Sequence, residues 1–108
     1  MKALIFALTL TLLSSGAQAM IRPESETAAM ATAKAIMEIN MGAGVGHVDL
    51  TVLRTSSESD DANITETFVI RAQAMNKEGE PYSSEFFYTI KLVNGSVWTV
   101  KTRCPACG

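Results

Sequence analysis

Two periodicities divide the chain. Between Glu24 and Met41, the residues Ala29, Met30, Ala33, Ile36, Met37, Asn40 and Met41 recur at three-and-four spacing, with Thr32, Lys34 and Glu38 outside the stripe. That pattern predicts an amphipathic helix. Pro23 suits a first helical turn, Glu24 and Glu26 favour its positive N-terminal end, and Gly42 offers a left-handed stop. The stripe is rich in alanine and methionine, so the helix can lie close against a sheet.

After Gly46 the period drops to two. Val48, Leu50 and Val52 alternate with His47, Asp49 and Thr51; Phe68, Ile70, Ala72 and Ala74 alternate with Thr67, Val69, Arg71 and Gln73. Tyr82, Phe86, Tyr88, Ile90 and Leu92 form the third apolar series, and Trp98 and Val100 the fourth. These are four strands with one apolar face each, their even-numbered positions pointing inward. The predicted fold is α+β, one N-terminal helix packed across a four-stranded antiparallel meander.

The turns bear on register. Asn94-Gly95 invites a two-residue hairpin loop, but that loop would set Lys91 opposite Trp98 and turn two apolar faces apart. A three-residue loop, Val93 to Gly95, pairs Ile90 with Trp98 and Tyr88 with Val100 instead. Because a one-residue slip exposes a whole face, burial is expected to prevail. The same reasoning applied to Lys77-Glu78-Gly79 pairs Ile70 with Phe86 and Phe68 with Tyr88. On the outer face these registers set Arg71 opposite Glu85, Glu85 opposite Arg103 and Asp49 beside Arg71, an alternating charge row. They also bring Val69 against Phe87, flanked by Val97 and Leu53. This quartet either simply covers the sheet or forms a docking surface for a partner or a second copy.

A helix followed by a four-stranded antiparallel meander resembles the cystatin-like architecture. Cystatin inhibitors carry a Gln-x-Val-x-Gly hairpin and a Pro-Trp hairpin. Here the first long hairpin reads Ser56-Ser57-Glu58-Ser59-Asp60-Asp61, and Trp98 follows Val97. The resemblance therefore implies a fold and not protease inhibition.

Composition narrows the class. The chain has 108 residues, 47% hydrophobic and 19% charged, with a net charge of −2. That is enough for one small domain and excludes the strongly basic surface usual in nucleic-acid binding. Residues 1–19 read as a signal peptide: Lys2, the apolar run Ala3 to Leu13, a Ser14-Ser15-Gly16 break, and Ala17-Gln18-Ala19 as the cleavage site. The run is too short to span a bilayer and no cysteine follows the site, so no membrane anchor is expected. The mature domain would be 20–108, periplasmic or secreted. Removal of Lys2 leaves eight basic groups against eleven acidic ones.

Candidate chemistry is sparse. Cys104-Pro105-Ala106-Cys107 holds the only two cysteines, and in an oxidising compartment a disulfide is the leading expectation. Two alternatives stay open: half of a zinc or copper site, completed by His47 or a second copy, and thiol exchange. The latter lacks its usual helix, since only Gly108 follows Cys107. Met30, Met37 and Met41 offer thioethers to copper, but the same spacing is a core stripe. Gly42 to Gly46 lacks the lysine of a phosphate loop, and Glu58 to Asp61 lacks the pattern of a calcium loop. No catalytic constellation and no cofactor motif stand out. The expectation is a small exported, non-catalytic binding module for an unknown protein or small ligand, with homodimerisation an option. The alternative is a metal-handling or thiol-exchange protein acting through Cys104 and Cys107.

Overall fold

A computed structural model describes residues 21–107. The signal-peptide reading of residues 1–19 and the start at residue 20 lie outside the described residues. Helix α1 runs Pro23–Met41 and ends in a 3-10 turn, Gly42–Gly44. Four strands follow: β1 (His47–Ser59), β2 (Ile64–Met75), β3 (Phe86–Val93) and β4 (Ser96–Arg103). A single 3-10 turn, Pro105–Cys107, comes last. The strands pair antiparallel in the order β1-β2-β3-β4, so the α+β meander predicted from periodicity is the fold.

The core is the inner face of this sheet. Ala29, Ala33 and Met37 of α1 are fully buried against Phe68, Ile70, Ala72 and Ala74 of β2 and Tyr88, Ile90 and Leu92 of β3. Alanine at the contact positions lets the helix axis approach the sheet, and Met37 fills what the alanines leave. Met30, Ile36 and Met41 flank this contact half-buried, whereas Asn40 is exposed. The helix stops where Gly42 adopts φ 78° and returns its N–H to the carbonyl of Glu38.

Three registers differ from expectation. Between β2 and β3 the pairs are Phe68–Ile90, Ile70–Tyr88 and Ala72–Phe86, two residues along from those predicted. The connection is longer than a three-residue loop. Asn76 Oδ1 accepts the backbone N–H groups of Glu78 and Glu80, and Ser83 Oγ accepts that of Ala74. The segment after β2 is thereby held back on the strand until Phe86. A shift of two preserves the inward phase, so the core composition survives the error.

At the β3–β4 turn, the choice between turn chemistry and burial proves unnecessary. Asn94 (φ 53°) and Gly95 (φ 86°) form the two-residue turn their sequence favours, closing Val93 against Ser96. Leu92 then meets Val97, Lys91 meets Thr99, and Trp98 is the extra residue of a bulge. The bulge restores the phase, giving Ile90–Val100 and Tyr88–Thr102 in place of the predicted Ile90–Trp98 and Tyr88–Val100. Trp98 leaves the core and is 70% exposed.

A second bulge lies in β1. Val52 pairs with Ile70 and Arg54 with Val69, leaving Leu53 over. Beyond it the phase of β1 inverts, so Thr55 and Ser57 stand beside Phe68 and Glu66. Strand β1 also continues through Ser56–Ser59, which were expected in the loop. The turn itself is held by Asp60 Oδ1, which accepts the N–H groups of Ala62 and Asn63.

Candidate functional site

The outer face of the sheet lies opposite α1. Its register assembles three cross-strand rows: Thr51, Arg71, Phe87, Arg103; then Arg54, Val69, Thr89, Lys101; then Ser56, Thr67, Lys91, Thr99. Rows lie about 7 Å apart along a strand, and neighbours within a row about 5 Å apart. Five of the nine basic side chains of the chain thus occupy one face of an acidic protein. Of the acidic groups, Glu24, Glu26 and Glu38 lie on α1, Asp60 and Asp61 at the β1–β2 turn, and Glu78 and Glu80 in the β2–β3 connection. The three rows themselves hold no carboxylate, but the same outer face carries Asp49 and Glu58 near the two ends of β1 and Glu85 beside Arg71.

Electrostatics on this face is little compensated. Arg71 pairs with Glu85 at 3.7 Å, and the Arg103 guanidinium lies 4.8 Å above the Phe87 ring. Among the described residues, Arg54, Lys91, Lys101 and Arg103 have no carboxylate within ion-pair distance. Between the long side chains the central positions are short. Arg54, Thr55, Ser56, Thr67, Val69 and Thr89 therefore line an open hollow of about 280 Å³. The Leu53 bulge sharpens the twist of β1 at its rim.

Of the quartet weighed as cover or docking patch, the register keeps Val69, Phe87 and Leu53 near one another and sets Val97 apart. Val69 lies opposite Arg54 and Thr89 in the hollow, while Phe87 lies opposite Arg71 and Arg103, so the two are diagonal neighbours rather than a facing pair. Leu53 is the bulged residue beside the hollow. Val97 pairs with Leu92, a residue of the inner core, at the far end of β4. The predicted charge row fails for the same reason. Only Arg71–Glu85 forms, because Arg103 meets Phe87 and Asp49 meets Gln73.

A buried carboxylate went unforeseen. Glu66 on β2 is fully buried, with Oε1 accepting from Arg22 Nη2 at 2.8 Å and Ser25 Oγ at 2.7 Å. Its Oε2 accepts the backbone N–H of Arg22 at 3.0 Å. Arg22 is the N-cap of α1 and makes no side-chain cap bond; Glu66 instead accepts the N-cap's own N–H and sets a carboxylate at the positive end of the helix. Burial raises the pKa of this carboxyl, but the bonds from Arg22 and Ser25 outweigh it and hold the group below its ordinary value. Even-number parity extended back from Phe68 was the available signal. Tyr88 carries the opposite case: its hydroxyl is buried without a partner, and burial pushes its pKa up.

The remaining candidates have structural surroundings. Cys104, just before the final 3-10 turn, and Cys107, its last residue, are joined as a disulfide, their Cα atoms 5.3 Å apart. In that state neither sulfur is a thiolate. His47 begins β1 at the opposite edge of the sheet, and among the described residues no group of three or more His, Cys, Asp or Glu could hold a metal ion. Met37 lies in the core, with Met30 and Met41 beside it. Gly46 packs against the backbone of Asn76 so closely that a Cβ there would come within 2.6 Å of its carbonyl oxygen. No described helix is long and apolar enough to cross a membrane. Comparisons with protein-family models, curated proteins and solved structures find no match, so the cystatin-like resemblance rests on element order alone.

Proposed function

We propose that this chain is a small exported binding module, without catalytic chemistry, that engages an anionic partner on the outer face of its sheet. One observation carries the reading: basic side chains are concentrated on three adjacent rows of a protein whose net charge is −2. Uncompensated charges of one sign on a shared surface raise the local concentration of oppositely charged ligands. The leader-like residues 1–19 and the joined cysteines support placing this activity in the periplasm or outside the cell.

Ion exchange tests the reading directly. At pH 7 the purified chain should be retained on a cation-exchange matrix despite its sequence pI of about 5.3. The double variant Arg54→Glu, Lys101→Glu should pass through unretained. Passage of the unaltered chain at low salt would remove the proposal, since evenly mixed charges would give that result.

A further inference from the structure

Resting on that reading, we infer that the partner is an acidic glycan, a linear oligosaccharide bearing carboxylates, laid across the strands with one ring in the hollow. The first reason is reach. Arg54 and Lys101 occupy opposite edges of one row, three strand spacings apart, or about 14 Å. A single small anion cannot contact both edges, but a chain of linked acidic sugars can.

The second reason is alternation. Along β1 Arg54 is followed on the same face by Ser56, along β3 Thr89 by Lys91, and along β4 Thr99 by Lys101. Cations thus alternate with hydroxyls, which both donate and accept. Each uronate ring presents the complementary set, one carboxylate among several hydroxyls. The hollow of about 280 Å³ is walled mainly by threonine and serine, a lining suited to a polar ring.

The third reason is what the face withholds. Backbone groups of β2 and β3 are committed to ladders on both sides, so a peptide could not add here as a strand. Such a peptide would have to use the β1 or β4 edge instead. Single-stranded nucleic acid needs aromatic platforms for its bases. On these rows there is one aromatic, Phe87, and Arg103 covers its ring.

The test is calorimetric titration of the full chain at low salt with a galacturonate hexamer, a maltose-series hexamer and a hexaglutamate peptide. The acidic sugar should bind and the neutral sugar should give no heat. Raising salt or introducing Arg54→Glu with Lys101→Glu should each weaken the acidic sugar roughly tenfold or more, as expected when several charge contacts are lost. The milder pair Lys91→Gln, Lys101→Gln serves as a second variant, with an unchanged melting curve as the folding control. Hexaglutamate binding as tightly as the hexauronate would overturn the glycan and leave an anion-binding face. Absence of both, with cation-exchange retention intact, would also overturn it while sparing the broader reading. If retention is absent too, both fail.

Discussion

Phe68 and Val69 are adjacent in β2, yet the first is sealed beneath α1 and the second lies in an open hollow among arginine and threonine. The same alternation runs along β2 and through β3, and the two faces follow different physics. Inside, dispersion and the loss of water contact dominate, so shape matters to within a methylene. Outside, side chains keep their hydration and charge acts over longer distances, so substitutions there should spare the fold and alter association. The comparison teaches that stability and the proposed binding are separable in this molecule, residue by residue, along a single strand.

The largest effect should come from opening the inner face. Phe68→Ala removes most of a fully buried ring from the centre of the helix–sheet contact, and such truncations cost about 3–5 kcal/mol. Val69→Ala, one residue along, should cost well under half of that. Urea denaturation of the two variants checks the pair. Equal losses would mean that both faces are covered, for instance by self-association.

Next in size is Glu66, the one buried charge among the described residues. Glu66→Ala leaves the N-terminus of α1 without its acceptor and Arg22 without its partner, a loss of about 3 kcal/mol by analogy with other buried charge-assisted contacts. Arg22 is 34% exposed and can recover some hydration, which keeps the figure from rising further. The pH dependence has a definite sign. The folded-state pKa of Glu66 lies below its unfolded value of about 4.5. Its contribution is therefore complete above that value and disappears as pH falls through the lower, folded-state one. Glu66→Gln should flatten this acid limb of the denaturation midpoint; an unchanged limb would assign acid sensitivity to other groups.

Legibility in the sequence followed the same division. The helix and the inward phase of β2 and β3 could be read because Phe68, Ile70, Tyr88 and Ile90 alternate without interruption. The outer face could not, because its rows depend on absolute register. The Asn76 and Ser83 hydrogen bonds displace that register by two while leaving the phase intact. Bulges were invisible for a sharper reason. Leu53 and Trp98 are apolar and stand where alternation asks for continuity, so nothing local marks either as the surplus residue. Both bulges fall on edge strands, where an irregular backbone discourages pairing with another chain. Glu66 had the right parity, but its charge argued against burial until Arg22 and Ser25 were seen to reach it.

The smallest expected effect is also the most discriminating. Trp98 is the surplus residue of the β4 bulge, so its deletion should leave Leu92 against Val97, Lys91 against Thr99 and Ile90 against Val100. The Asn94-Gly95 turn would then run straight into a regular ladder, and the inner face would lose nothing, since the indole is already mostly in solvent. The shortened chain should fold with a stability within about 1 kcal/mol of the original, as for other surface changes away from the core. Nuclear Overhauser contacts between Ile90 and Val100 should persist. Under the three-residue loop that burial alone recommends, Trp98 would instead pair with Ile90 in the core. Deleting it there would turn Val100 outward and cost several times as much. A strongly destabilised deletion variant that has lost the Ile90–Val100 contact would therefore show that the indole, not the bulge, sets the phase of β4.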